Sequence, residues 1–234
     1  MNTLYIVATP IGNLEDITIR AIKTLLTVPL IACEDTRHTG NLIKILSDRF
    51  QGLLGENFRP VSQRKFISVR DWNEAKMAQE IVGLLSVTDI ALVSDAGTPL
   101  ISDPGYKIVR AAKLSGAKVV PIPGPSALTA AISVSGLPTN KFLFLGFLPK
   151  KWEIPPETTT IIYESPKRLN STVEAIYQKH PEAEIVVAKE LTKVYESVTS
   201  GQEKLDQDAV GEIVILVYLP QKVSTGHSGG DGQV

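Results

Sequence analysis

The chain has 234 residues with 24 Lys and Arg against 25 Asp and Glu, a net charge of −1 that gives no long-range pull toward nucleic acid or an anionic membrane. Its single cysteine, Cys33, excludes an internal disulfide and a cysteine-built metal site, fits a reducing cytosol and reads as a small buried hydrophobe. No stretch approaches the ~20 apolar residues of a membrane span, and the N-terminal run, without a basic flank and broken by Pro10, is no signal peptide, so a soluble cytoplasmic protein is expected.

In chain order, short β-rich apolar runs predict strands at residues 4–8, 30–33, 66–69, 90–94 and 118–122. Between them, apolar residues at three- and four-residue spacing predict helices at 17–26, 36–46, 73–85 and 105–114. The alternation implies βαβ units and a mostly parallel sheet, with 48–63 an irregular surface loop. After Pro125 the pattern changes to a small-residue helix at 126–135 and apolar runs at 142–146, 159–163, 184–188, 195–200 and 212–219, with helices at 166–179 and 203–209. Strands this close in sequence predict a mixed or antiparallel second sheet. The expected organisation is an N-terminal α/β domain over 1–124, a C-terminal α/β domain over 125–220 and a Gly/Ser-rich disordered tail over 221–234.

Three Gly/Pro-rich turns each follow a predicted strand: Ala8-Thr9-Pro10-Ile11-Gly12-Asn13, Ser94-Asp95-Ala96-Gly97-Thr98-Pro99 and Pro121-Ile122-Pro123-Gly124-Pro125-Ser126-Ala127. Loops leaving the C-terminal strand ends of an open α/β sheet gather along one edge, where ligands bind. Small residues let backbone amides approach a ligand and proline presets the loop, so one small-molecule site built mostly from main chain is predicted. The first turn matches neither nucleotide-binding glycine motif and reads equally as a capped turn.

Glu34-Asp35-Thr36-Arg37-His38-Thr39, after the second strand, suits proton handling or polar recognition, although Asp35 or Thr36 would equally cap the next helix. In the second half, Lys167, Arg168, Lys189 and Lys193 offer phosphate contacts with Glu164 and Glu190 fixing their geometry, or are solvated loop charges. Lys150-Lys151 beside Trp152 is either a phosphate and stacking contact or exposed linker charge. A rival reading makes Glu34, Asp35, Asp95 and Asp103 a magnesium site of a nucleotide hydrolase, against which stands the lack of a phosphate-loop lysine.

Together these strings resemble the bacterial ribosomal RNA small subunit methyltransferase I family of the tetrapyrrole methylase superfamily. The matching pieces include LYIVATPIGNLEDIT at 4–18, ACEDTRHT at 32–39, ALVSDAGTPLISDPGY at 91–106, VVPIPGPSAL at 119–128, YESPKRL at 163–169 and AKELTK at 188–193. The resemblance implies a two-domain tetrapyrrole-methylase-like α/β fold, with a mostly parallel N-terminal sheet, a mixed C-terminal domain and the cofactor in the cleft between them. It implies a homodimer that uses S-adenosylmethionine, without a metal, to methylate the ribose 2′-hydroxyl of a cytidine in the decoding region of 16S rRNA, within the small ribosomal subunit. By carry-over, Pro10, Ala96, Gly97, Thr98, Ile101, Ser126, Ala127, Tyr163 and Ala188 contact the cofactor. Glu34, Asp35 and Glu190 are candidates for the base, and Arg37, Lys167, Arg168, Lys189 and Lys193 for holding substrate. A sulfonium donor carries no phosphate, which agrees with glycine-rich turns lacking a phosphate-loop lysine.

The chain departs from the family pattern in three places that bear on RNA docking. Arg70-Asp71-Trp72-Asn73-Glu74 stands where an HEHNE-like string is usual, Lys167 replaces the histidine after YESP, and 150–158 is short where relatives often carry a basic helix. The alternatives are methylation of a tetrapyrrole or a protein side chain, and a non-catalytic RNA-binding module.

Overall fold

The computed structural model describes residues 1–53, 55, 58–202 and 211–221, so the predicted helix at 203–209 and the expected tail beyond 221 lie outside the described residues. The chain forms two compact units. The first is Met1–Ala131 with Glu190–Glu196, and the second comprises Ile132–Lys189 and the described residues from Ser197 onward. The division falls beyond the Gly124 boundary read from the sequence.

In the first unit β1 (Thr3–Val7), β2 (Leu30–Cys33), β3 (Lys65–Ser68), β4 (Ile90–Leu92) and β5 (Lys118–Ile122) form a parallel sheet in the order β3-β2-β4-β1-β5. The connections contain α1 (Ile19–Thr27), α2 (Thr36–Phe50), α3 (Glu74–Leu84) and α4 (Tyr106–Leu114). Right-handed crossovers place helices on opposite faces when the chain reverses its direction across the sheet. The chain runs one way from β1 through β2 to β3, then returns through β4 to β5.

Packing follows this winding. Leu25, Leu26, Ile43 and Leu46 of α1 and α2 bury against Val7, Ile31, Cys33 and Ala91, while Ile81 and Ile108 of α3 and α4 bury against Leu4, Ala32, Ile90 and Leu92. Alternating strand residues therefore feed two cores, which is why these strands read as continuous apolar runs. Full burial of one such side chain contributes about 1.5–3 kcal/mol.

Helix α2 extends into the region expected to be irregular, and short 3-10 turns follow at Gln51–Leu53 and Val61–Gln63. Arg64 then folds back under α1. Its buried guanidinium donates to the carbonyls of Leu25, Leu26 and Val28, at the helix end where carbonyls lack intrahelical partners, and to that of Arg59. Burial, with Arg59 nearby, brings the Arg64 pKa down to about 10.

Helix α5 (Ala127–Val134) leads into the second unit, whose strands are β6 (Phe142–Phe147), β7 (Thr159–Glu164), β8 (Glu184–Lys189), β9 (Ser197–Ser200) and β10 (Ile213–Tyr218). Their order is β6-β7-β10-β8-β9; β6 and β7 are parallel and the other neighbours antiparallel. Helix α6 (Leu169–Lys179) packs Leu169, Val173 and Ile176 onto Ile162, Ile185, Val187 and Ile215. Strand β9 begins at Ser197, later than the predicted run, because Glu190–Glu196 departs to the first unit.

Candidate active site

In the first sheet, β4 lies between β2 and β1. It leads into α4 on one face, whereas both neighbours lead into α2 and α1 on the other. The turn after β4 is therefore flanked by a topological switch on each side, and such switches are where open α/β sheets bind ligands.

On the β1 side, main chain dominates. Thr9 and Gly97 exchange backbone hydrogen bonds of 2.9 and 3.1 Å, and the Thr98 hydroxyl donates to the Pro125 carbonyl at 3.0 Å. Gly97 has φ +78°, and a Cβ there would stand 3.2 Å from Ile11 Cγ2 and 3.8 Å from the Pro125 oxygen. The three turns thus meet closely around a left-handed residue that favours glycine. Pro10, Ala96, Gly97, Thr98, Ser126 and Ala127 gather there, with Gly97 and Ser126 buried and the others half-buried.

The same turn continues through Ile101, flanked by Leu100 and Ser102 with φ of 75° and 66°. Such left-handed residues cost on the order of 1–3 kcal/mol each and persist only where surroundings hold them. Glu74 supplies one anchor. Its buried carboxylate accepts from the N–H groups of Gly105 and Lys107 at 2.8 and 2.9 Å and pairs with Lys107 Nζ at 3.5 Å, capping α4. Glu74, the second acid of the Arg70-to-Glu74 string, is thereby a structural clamp. Sequence inspection missed it because the partner helix lies some thirty residues away, |i−j| being 31 for Gly105.

On the β2 side, acids dominate. The Asp35 carboxylate accepts from the N–H groups of Arg37 and His38 at 2.7 and 3.2 Å, as N-cap of α2, and these bonds lower its pKa. The Asp95 carboxylate in turn accepts from the Asp35 N–H at 3.0 Å. Glu34 is half-buried. Its pKa is raised by burial and then by Asp95, with Arg70 opposing. Asp103 is pushed up to about 6 by burial, with the Ser94 hydroxyl opposing and Glu34, Asp95 and Asp71 adding to the rise. Arg37 and His38 are exposed on the first turn of α2, and Cys33 beneath is buried, its thiol raised to about 11 by desolvation. Among the described residues no group of three or more His, Cys, Asp or Glu is arranged to hold a metal ion.

The segment Glu190–Glu196 joins this unit at the first turn. The Thr192 hydroxyl accepts from the Asn13 N–H at 3.1 Å, and the Lys193 side chain occupies the space a Cβ on Gly12 would need. Lys193 Nζ pairs with Glu190 Oε1 at 3.0 Å, and Glu190 and Thr192 hold left-handed φ of 49° and 67°. Two predicted site residues are thus brought to the β1 turn from a point nearly 180 positions later, |i−j| being 179 for Asn13 and Thr192.

In the second unit, register sorts the remaining candidates. Tyr163 and Ala188 both pair with Val214, and Glu164 and Lys189 both pair with Ile213. Each row shares a face, and Ile213 belongs to the α6 core, so Glu164 and Lys189 lie on the α6 side and Tyr163 and Ala188 on the other. Ala188 is buried, and Tyr163 meets Phe144 edge-on at 4.9 Å. Glu164 is buried at the end of β7, where it accepts from Arg168 Nε, the Ser165 N–H and the Thr172 hydroxyl, each at 2.7 Å. Burial raises its pKa, but these donors outweigh it and the net shift is downward. Arg168 is held by this ion pair, while Lys167 beside it is exposed.

The converging turns suit a cationic, phosphate-free ligand, offering main chain, hydroxyls and small side chains with carboxylates close by. Residues 3–206 match the family model described as tetrapyrrole (corrin/porphyrin) methylases. The chain is 43% identical over 234 residues to a Vibrio cholerae serotype O1 protein named ribosomal RNA small subunit methyltransferase I, covering 92% of this chain and 76% of that one. It is 44% identical over 206 residues to a protein of the same name from Escherichia coli O157:H7, covering 83% and 67%. A solved uroporphyrin-III-C-methyltransferase from Thermus thermophilus superposes with a TM-score of 0.65 over 92% of this chain and 94% of that one, at 16% identity, a likeness of fold alone.

Proposed function

Because the chain belongs to the tetrapyrrole methylase family, and within it to the ribosomal RNA small subunit methyltransferase I group, we propose that it methylates the 2′-hydroxyl of a cytidine ribose in the decoding region of 16S rRNA, using S-adenosylmethionine. The observation that carries this reading is the meeting of three glycine-containing turns beside half-buried acids at the β4 switch. When bound, the cofactor supplies an electrophilic methyl group on a sulfonium.

By the family resemblance, Pro10, Ala96, Gly97, Thr98, Ile101, Ser126, Ala127, Tyr163 and Ala188 would contact that cofactor. Its positive charge suits the carboxylates beside the turn. Glu34 takes the proton of the attacking hydroxyl: burial, with Asp95 nearby, raises its pKa and makes it a stronger base than an ordinary carboxylate. Asp35, engaged as the α2 cap, positions Glu34 and Arg37. Glu190 orients Lys193 through their ion pair. Arg37, Lys167, Arg168, Lys189 and Lys193 hold substrate phosphates. Orientation of the reacting groups supplies up to roughly 7–11 kcal/mol of barrier reduction. The proposed working form is a cytoplasmic homodimer; no described helix is long and apolar enough to cross a membrane.

The test incubates the purified protein with methyl-labelled S-adenosylmethionine and 30S subunits lacking the modification, then maps the label by nuclease digestion and mass spectrometry. Label on one 2′-O-methylcytidine of 16S rRNA supports the proposal. Label on a base, a protein or an added tetrapyrrole, or cofactor binding without transfer, overturns it. Light scattering of the same preparation tests the dimer.

A further inference from the structure

We propose that the second unit carries a phosphate-binding groove for the RNA, formed by Lys150, Lys151 and Lys179 around Trp152, in addition to the substrate contacts named above. The groove is open, about 660 Å3 in volume, and lined by Lys150, Lys151, Trp152, Glu153 and Lys179. Three cations meet one acid there on a chain of net charge −1, so the positive surplus is local. Lys179 ends α6; its ammonium lies 4.7 Å from the Trp152 ring centroid and donates to the Trp152 carbonyl at 3.0 Å. Trp152 is itself packed against the α6 core together with Leu148 and Tyr177.

This arrangement preorganises one cation. A lysine fixed by a carbonyl and an aromatic face loses less side-chain entropy on meeting an anion, and the carbonyl takes only one of its three donors. Lys150 and Lys151 are exposed beside it. Ammonium groups bind phosphates as point charges without reading bases. Lys179 already covers one face of the Trp152 ring, so the groove works by charge rather than by stacking. An open path lined by spaced cations suits a continuous polyanion. The inference rests on the rRNA methyltransferase reading and adds a second contact on the same RNA.

The test compares wild-type protein with the Lys150→Glu/Lys151→Glu variant, whose altered side chains are exposed. Binding of a labelled single-stranded RNA oligonucleotide and of 30S subunits is measured between 50 and 200 mM salt, alongside S-adenosylmethionine affinity and methyl transfer. The expected result is about tenfold weaker RNA binding at low salt and a log–log salt slope shallower by about 1.4, at ~0.7 per lost single-strand phosphate contact. Cofactor affinity and kcat stay unchanged while KM for 30S subunits rises. Trp152→Leu, which frees Lys179, shifts RNA affinity in the same direction by less. RNA affinity and slope equal to wild type in the double variant overturn the groove. Wild-type protein that methylates no rRNA, while its RNA binding shows the expected sensitivity to the double variant, overturns the proposed reaction and supports the groove.

Discussion

The carboxylate of Asp95, just beyond β4, accepts a hydrogen bond from the backbone N–H of Asp35, just beyond β2, at 3.0 Å. Asp35 spends its own carboxylate on the first turn of α2. One chain of bonds therefore runs from the β4 turn through the β2 end into a helix, and Glu34 sits beside it under the charge of Asp95.

Replacing Asp95 separates the two effects. Asp95→Asn keeps an acceptor for the Asp35 N–H but removes the charge, so the Glu34 pKa falls toward its ordinary value, as a carboxyl-carbon NMR titration would read. Asp95→Ala also loses the bond and lowers unfolding free energy by about 1 kcal/mol in urea. A Glu34 titration unchanged in both variants would remove Asp95 as the neighbour that tunes it.

Glu74 is predicted to matter for stability and cofactor binding together. Glu74→Ala leaves the buried Gly105 N–H and the part-buried Lys107 N–H without their acceptor and destabilises by about 1–3 kcal/mol. Release of the α4 cap loosens the Ile101 turn, so S-adenosylmethionine affinity measured calorimetrically drops as well. Glu74→Gln, which retains one carbonyl acceptor, lies between Ala and wild type.

Gly97→Ala forces a Cβ into a left-handed residue 3.2 Å from Ile11 Cγ2. The conformation alone costs roughly 1–2 kcal/mol, and relief of the contact parts the β1 and β4 turns. Thermal unfolding should shift down and cofactor affinity fall, while Gly116→Ala, at a left-handed glycine with open space around it, loses stability without affecting the cofactor.

The raised and lowered carboxylates act on stability in opposite directions with pH. Asp103, at about 6 in the folded state against an ordinary value of 3.8, favours the fold fully below about pH 4, and that contribution disappears as pH rises through 6. Glu34 adds to the same trend. Glu164 and Asp35, both lowered, favour the fold above the ordinary carboxylate range and lose that contribution on acidification. Asp103→Asn should therefore gain stability relative to wild type between pH 5 and 7 and show no gain at pH 4, read from urea midpoints across a pH series.

Much of the architecture is a local matter and was legible in the sequence. The strands β2 and β5 have the limits their apolar runs predict, and the turns at Pro10, Gly97 and Ser126 follow strands, because apolar periodicity and Gly/Pro punctuation act over a few residues. Tertiary structure alone decided that β4 enters between β2 and β1, which gives the Gly97 turn a neighbour on each side. It also decided the roles of charges whose partners lie far away in the sequence. Glu74 became the cap of α4 and Arg64 a donor to the end of α1, while Glu190 and Lys193 crossed to the first turn; Asp35 caps α2 as its position in the sequence allowed, and Glu164 clamps Arg168 four residues on. A carboxylate's role depends on which donors reach it and how much water is removed: the donors to Glu74 lie some thirty residues away, beyond the reach of any local pattern, whereas those to Asp35 and Glu164 come from within eight residues.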